Sequence, residues 1–230
     1  MIYEKVTHIL FDLDGLLIES EAIYEKIARD IAKEFGKKYT KDVKIKVMGT
    51  PEPETARIII QELELPLTPE EFLAKYEVKV REDLKSPKLM PGAENLIRHF
   101  HENGIPIAIA TSSRQDLMEM KIMPHRELFD LFDHFVCSSS DPEVKQGKPA
   151  PDIYLVCASR FPDKPDPFKC LVFEDAVNGV KSALRAGMQV VMVPDPDVPN
   201  EQRKQATLTL NSLEDFQPEL FGLPSMACRC

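Results

Sequence analysis

The sequence predicts an α/β fold: a Rossmann-like open parallel sheet with an α-helical domain inserted after its first strand. Short apolar segments recur along the chain without alternation, as in strands that are covered on both faces. Helical patterns separate most of these segments. A third observation is that residues 16–88 contain helical patterns but no convincing strand. A chain of 230 residues is long enough for one domain that carries such an insert.

Six segments have the composition of buried strands, because they are nearly continuous in Val, Ile, Leu and Phe. They are VTHILF (6–11), IPIAIAT (105–111), HFVCSS (134–139), KCLVFE (169–174), MQVVMVP (188–194) and ATLTL (206–210). Strands that alternate with helices are typical of parallel sheets with right-handed crossovers. We therefore predict that all six belong to one parallel sheet.

Helices are predicted both between the strands and in the insert. The segments 92–104 and 178–187 each group apolar residues on one face and end at a glycine. In the insert, a first helix is predicted over residues 19–36, where apolar residues are spaced four apart, and a second over residues 53–65. A third helix is predicted over residues 68–84, because it begins with Thr68 and has Pro69 at its first helical position. The predicted division is a sheet domain of residues 1–15 and 89–230, with a helical domain of residues 16–88.

Composition excludes several classes of partner. The 29 basic and 38 acidic residues give a net charge of −9. The sequence has no basic stripe, so nucleic acid is not an expected partner. No apolar run approaches the ~18 residues of a membrane span. Glu4 and Lys5 interrupt the N-terminal pattern, which predicts no signal peptide. Five cysteines without a C-x-x-C pair indicate free thiols in a reducing compartment. Cys228 and Cys230 are too few ligands for a metal site. We expect a cytoplasmic monomer.

Polar side chains gather where the predicted strands end, which is where open α/β sheets bind ligands. In chain order they are Asp12, Asp14, Thr111, Ser112, Lys148, Glu174 and Asp175. Carboxylate oxygens at this density favour a hard cation, and Mg²⁺ is the expected ion. Together with a lysine, a hydroxyl and free backbone N–H groups, such an ion suits a phosphoryl group. One aspartate can act as a nucleophile and the other as an acid and base.

The motifs FDLDG, ATSS, GKPAPD and FEDAVNG, in this order, resemble those of the haloacid dehalogenase-like phosphohydrolases. The resemblance extends over the whole chain, and the insert is similar to the C1 cap domain of that family. It implies that Asp12 is the nucleophile and a Mg²⁺ ligand. Asp14 would be the acid/base and lend its backbone carbonyl to the metal. Thr111 and the Ser112 N–H would bind the phosphoryl group, and Lys148 would neutralise charge. Asp175 would ligate Mg²⁺, and Glu174 would do so through water.

The substrate expected from this resemblance is a small phosphorylated metabolite. Segments outside the catalytic motifs, such as NSLEDFQPELFGLPS, resemble family members that act on pseudouridine 5′-phosphate, which is the first substrate predicted. Glycerol phosphates, phosphoglycolate and hexose phosphates remain alternatives. A phosphomutase is disfavoured by the acidic loop 49–54 and by Tyr24, which stands where mutases can carry a histidine. A non-catalytic phosphometabolite-binding protein is the remaining alternative.

Substrate selection is assigned to the cap and to the residue after the second motif. Gly49, Thr50, Glu52 and Arg114 are the candidates.

Overall fold

The computed structural model describes residues 3–48 and 50–226. The substrate-contact prediction for Gly49 and the predictions for Cys228 and Cys230 therefore fall outside the described residues. Across the described ranges, no helix is long and apolar enough to cross a bilayer.

The predicted parallel sheet is confirmed. Its strands are β1 (His8–Phe11), β2 (Ile107–Thr111), β3 (His134–Cys137), β4 (Cys170–Glu174), β5 (Gln189–Met192) and β6 (Leu208–Thr209). All pairings are parallel, and the spatial order is β3-β2-β1-β4-β5-β6. Each strand is shorter than its apolar segment. The open sheet reverses its strand order beside β1, which places a crevice at that point.

Ten α-helices complete the described parts of the chain. They are α1 (Glu21–Glu34), α2 (Lys41–Val47), α3 (Glu52–Leu63), α4 (Pro69–Asp83), α5 (Ala93–Glu102), α6 (Gln115–Ile122), α7 (Arg126–Phe129), α8 (Asp152–Ser159), α9 (Val177–Arg185) and α10 (Asn200–Arg203). The sequence analysis did not predict α2, α6, α7, α8 or α10. In α8 the apolar residues are spread around the helix, which packs closely on β2 and β3, so the amphipathic period is weak.

The core lies on both faces of the sheet, which explains why the strands do not alternate. Phe11 and Phe173 stack on one face, with ring centroids 4.9 Å apart. Leu10 and Val172 point to the opposite face and pack with Tyr154 of α8. Every residue of β1, β2 and β4 is buried. The site therefore rests on strands that are packed from both sides.

The inserted helical domain predicted after β1 is present. Its four helices, α1 to α4, enclose a hydrophobic cluster that includes Ile27, Ile59 and Phe72 and extends to Leu117 of α6. Thr68 caps α4 and forms a capping box with Glu71. Between residues 16 and 88, the described strand-like pairings are isolated bridges made by Ile18. The division at residues 15 and 89 stays a prediction.

Candidate active site

The parallel register brings the predicted site residues together. Phe11 lies opposite Ile109 and Phe173, so the residues that follow β1, β2 and β4 emerge side by side. All of the motif residues predicted from the sequence line a single cavity between the strand ends and the cap. They are Asp12, Asp14, Thr111, Ser112, Lys148, Glu174 and Asp175.

Lys148 joins two of the predicted carboxylates. Its Nζ donates to Asp12 Oδ1 and to Glu174 Oε1, each at 2.6 Å, and to the Ala110 carbonyl at 3.1 Å. The three side chains of these two ion pairs are buried. Removal of one partner from such a pair would leave an uncompensated buried charge.

Electrostatics at this end of the sheet are dominated by burial. Desolvation, opposed by Lys148 and reinforced by Glu174 and Asp14, raises the pKa of Asp12 to about 7. Burial and the charges of Asp12 and Glu174 also raise the pKa of Asp175. Burial by itself would lower the pKa of Lys148, but Asp12 and Glu174 outweigh it and raise that pKa. If all three were ionised, they would carry more negative charge than one lysine offsets, and this is why burial shifts the pKa values of Asp12 and Asp175 toward the neutral form.

The donor set fits a hard divalent cation. Asp12, Glu174 and Asp175 are buried, and each can offer one oxygen within 4.8 Å of the others. Oxygen ligands at this spacing are those that Mg²⁺ and Ca²⁺ prefer. A divalent ion would also cancel the charge that Lys148 leaves uncompensated.

Glu174 is held by groups that the sequence analysis did not identify. The Tyr154 hydroxyl donates to its Oε1, and the Ala176 N–H lies 3.3 Å from its Oε2. Gly179 packs against the same carboxylate so closely that a Cβ there would overlap it. Tyr154 carries no sequence signal of its own. For Gly179, the signal was its position in the fourth motif.

Asp14 occupies a different environment from Asp12. Both of its carboxylate oxygens are 2.7 Å from Nζ of Lys121, a fully buried lysine on α6. Ser20 Oγ donates to Oδ1 at 2.7 Å, and Ser113 Oγ donates to Oδ2 at 2.9 Å. Burial by itself would raise the pKa of Asp14, but Lys121 and these hydroxyl groups lower it. The sequence analysis missed Lys121, which lies in a helix that it did not predict.

The end of β2 supplies hydroxyl groups to the cavity. Thr111 Oγ1 accepts from the Ser113 N–H at 3.1 Å and lies 3.4 Å from Asp14 Oδ2. Ser112 Oγ is buried and has no hydrogen-bond partner within the described residues. A buried hydroxyl costs free energy unless it is hydrogen-bonded.

The cap forms the opposite wall of the cavity. Thr50 and Glu52 both line it, as do Glu21 and Tyr39, which the sequence analysis did not single out. Burial and the nearby Asp14 and Asp12 raise the pKa of Glu21 to about 8. The roles of Thr50 and Glu52 in substrate selection stay predictions.

Arg114 is engaged in ion pairs between the cap and the sheet domain. Its guanidinium is 3.0 Å from Glu77 and Asp116 and 3.7 Å from Glu52. It is not among the residues that line the cavity within the described ranges. A contact between Arg114 and the substrate stays a prediction.

Known proteins resemble this chain over nearly its whole length. It is 49% identical over 224 residues to a probable pseudouridine-5′-phosphatase from Drosophila melanogaster, covering 97% of each chain. It is 46% identical to (DL)-glycerol-3-phosphatase 2 from Arabidopsis thaliana, covering 96% of this chain and 92% of the relative. A solved HAD hydrolase, family IA, variant 3, from Entamoeba histolytica is 28% identical and has a TM-score of 0.74. That match covers 94% of this chain and 97% of the other.

The model of the haloacid dehalogenase-like hydrolase family matches residues 9–193, which include all of β1 but its first residue, the helical insert and strands β2 to β5. This match and the full-length relatives agree with the topology and with the motifs at the strand ends. The chain belongs to the haloacid dehalogenase-like hydrolase family.

Proposed function

We propose that this protein is a Mg²⁺-dependent phosphomonoesterase that works through an aspartyl-phosphate on Asp12, with pseudouridine 5′-phosphate as its first candidate substrate. The observation that carries the proposal is that Lys148 donates hydrogen bonds to both Asp12 and Glu174, with the Asp175 carboxylate beside them. This arrangement supplies a nucleophile, a fixed positive charge and cation ligands at one strand end.

In the first step, a carboxylate oxygen of Asp12 attacks phosphorus and the bond to the ester oxygen breaks. Asp14 gives the departing oxygen its proton. Lys148 keeps Asp12 oriented and offsets charge on the phosphoryl group. Thr111 and the Ser112 backbone N–H are proposed to hold phosphoryl oxygens, and both residues line the cavity.

In the second step, Asp14 takes a proton from water, and the resulting hydroxide oxygen attacks the phosphorus of the aspartyl-phosphate. The bond between phosphorus and Asp12 breaks, which releases inorganic phosphate and restores the carboxylate. The lowered pKa of Asp14 favours the ionised form that this second step needs, whereas the first step needs the protonated form.

Asp12, Glu174 and Asp175 would hold the cation. When bound, Mg²⁺ supplies positive charge that stabilises the phosphoryl oxygens in the transition state. Asp14 is proposed to add its backbone carbonyl. Glu174 already accepts from Lys148 and Tyr154, which is compatible with a contact to the ion through water.

Two substrates are favoured by the relatives. The probable pseudouridine-5′-phosphatase supports pseudouridine 5′-phosphate, and the glycerol-3-phosphatase supports glycerol 3-phosphate as the second candidate. The cap wall carries acidic and hydroxyl groups, among them Glu21, Glu52 and Tyr39. Such a wall suits an uncharged alcohol or nucleoside with donor groups more than a second anionic group.

The test is release of inorganic phosphate from a panel of esters with and without Mg²⁺. The panel contains pseudouridine 5′-phosphate, uridine 5′-phosphate, glycerol 3-phosphate, phosphoglycolate and hexose phosphates. We expect the highest kcat/KM for pseudouridine 5′-phosphate, at least ~100-fold above the other esters.

Asp12→Asn is the matched control, since it removes the nucleophile and keeps the side-chain shape. We expect no turnover from this variant and an intact fold by circular dichroism. An active Asp12→Asn protein would refute the aspartyl-phosphate mechanism. Higher kcat/KM for another ester would keep the mechanism and replace the substrate.

A further inference from the structure

Lys121 is a buried cation that the proposed reaction does not yet use. Its side chain is fully buried, although lysine is rarely buried unless it is paired. Its Nζ contacts four oxygen atoms: both carboxylate oxygens of Asp14, Ser113 Oγ and Tyr24 Oη, at 2.7 to 2.9 Å. The cost of burying this charge is offset by the Asp14 carboxylate and by the two hydroxyl groups beside it.

The carboxylate of Asp14 is enclosed on several sides. Ser20 and Ser113 donate to different oxygens of the carboxylate, and the Tyr24 hydroxyl lies 3.4 Å from Oδ1. Ser20 and Tyr24 come from the start of the cap, whereas Lys121 and Ser113 come from the sheet domain. Only 16% of the Asp14 side chain is exposed, and that part faces the cavity.

From this geometry, we propose that Lys121 is a positioning residue for the acid/base reaction, holding the Asp14 carboxyl group at the cavity edge where it meets the ester oxygen. The inference rests on the proposed function. Without Lys121, Asp14 would keep its hydroxyl donors but lose the one partner that contacts both oxygens. Its carboxyl group could then rotate, and a small misplacement of a reacting group reduces the rate strongly.

The leaving group provides a test that separates positioning from folding. An alkyl phosphate releases a strongly basic alkoxide, so cleavage depends on proton donation from Asp14. p-Nitrophenyl phosphate releases a stable phenolate that leaves without a proton. The parameter kcat/KM covers only the steps through cleavage of the ester bond, so the later role of Asp14 as a base does not affect it.

The variant is Lys121→Met, which fills the same buried space without charge. For the alkyl ester that the wild type cleaves faster, glycerol 3-phosphate or pseudouridine 5′-phosphate, we expect kcat/KM to fall about 100-fold. For p-nitrophenyl phosphate we expect a fall of less than about 3-fold. KM for the alkyl ester should change little, because Lys121 is enclosed by Asp14, Ser113 and Tyr24.

Three further variants complete the experiment. Asp14→Asn should show the same dependence on the leaving group, and Lys33→Met, at an exposed lysine of α1, should behave as wild type. Ser113→Ala removes a contact to both Asp14 and Lys121 and should show a smaller loss of the same kind. It provides the measurement if Lys121→Met does not fold.

Equal losses on both esters, or no loss on either, would overturn the role of Lys121. Wild-type protein that cleaves neither ester would instead refute the proposed function. The two failures are therefore distinguishable.

Discussion

Asp12 and Asp14 are two residues apart, yet the fold places them in opposite electrostatic environments. Asp12 is buried beside Glu174 and Asp14, and its pKa rises to about 7 despite Lys148. Asp14 is paired with Lys121 and hydrogen-bonded by Ser20 and Ser113, and its pKa falls. Carboxyl groups whose pKa values are driven apart are typical of sites that divide chemical roles between them. The environments support a cation-dependent nucleophile and a separate base.

The raised pKa values of Asp12 and Asp175 predict how stability depends on pH and Mg²⁺. Both folded-state pKa values exceed the ordinary value of 3.8. The contribution of Asp12 to stability is therefore lost as pH rises toward its pKa of about 7, and the contribution of Asp175 also declines as pH rises. Mg²⁺ binds the ionised carboxylates and competes with protons. We expect Mg²⁺ to raise the melting temperature more at about pH 8 than at about pH 5.5. At a free concentration of 100 times its Kd, the ion should raise the free energy of unfolding by about 3 kcal/mol.

The measurement is thermal unfolding at both pH values with Mg²⁺ or with EDTA. Asp175→Asn is the control, because it removes one cation ligand and keeps a polar side chain of the same shape. Its melting temperature should respond little to Mg²⁺. An equal response in the variant, or an equal response at both pH values, would contradict a cation site at Asp12, Glu174 and Asp175.

At the scale of elements, helix α9 contributes to the site by coming close to β4. Gly179 lies in the first turn of α9, directly against the carboxylate at the end of β4. The helix needs a residue without a Cβ here, since the hydrogen bonds from Lys148 and Tyr154 hold Glu174 against it. The fourth motif thus includes a glycine needed for packing as well as the two carboxylates proposed to hold the cation.

Gly179→Ala should disable the site because the added methyl group displaces Glu174. We expect kcat/KM to fall about 100-fold, the loss that displacement of a positioned group by about 1 Å can cause. The readout is phosphate release from the best ester of the panel, with circular dichroism as the test of folding.

Gly104→Ala is a suitable control for this substitution. Gly104 has a φ of +68°, but a Cβ there would meet no atom within 4 Å. The change should cost about 1 kcal/mol of stability and leave kcat/KM unchanged. If Gly179→Ala retained wild-type activity, close packing of α9 against Glu174 would not matter to the reaction.

At the scale of the whole molecule, ion pairs join the cap to the sheet domain on two sides of the cavity. On one side, Lys44 of α2 contacts Asp195 and Asp197 in the loop after β5, at 3.0 and 3.1 Å. On the other side, Arg81 of α4 pairs with Asp116 of α6. Lys44 is only 12% exposed, so its pairs are screened less by salt than surface pairs are.

Lys44→Met should loosen the cap on the β5 side, because it leaves Asp195 without its cation. We expect faster hydrogen exchange in α2 and in residues 195–198, measured by mass spectrometry. Lys46→Met is the matched control, since Lys46 pairs with Glu62 inside the cap at 2.6 Å. Loosening by the control variant, or unchanged exchange at 195–198 in Lys44→Met, would show that other contacts hold the cap.

The sequence alone determined the class of fold and the residues at the strand ends. Strands buried on both faces are continuously apolar, so a polar residue at their ends is conspicuous, as Asp12, Thr111 and Glu174 are. The helical insert was also predictable, because its long amphipathic helices have a period that strands lack. Short helices such as α8 were missed, since a helix packed closely on the sheet loses that period.

Only the tertiary structure decided which partner each site residue has. Lys121 is 107 residues from Asp14 in the sequence, and Tyr154 is 20 residues from Glu174. A lysine in a helix or a tyrosine in an apolar segment has many possible neighbours. The packing of α6 and α8 against the sheet selects one of them. The types of residue at the site were therefore predictable from four short motifs in the sequence. The charge balance and geometry of the site depend on contacts that form only when the chain is folded.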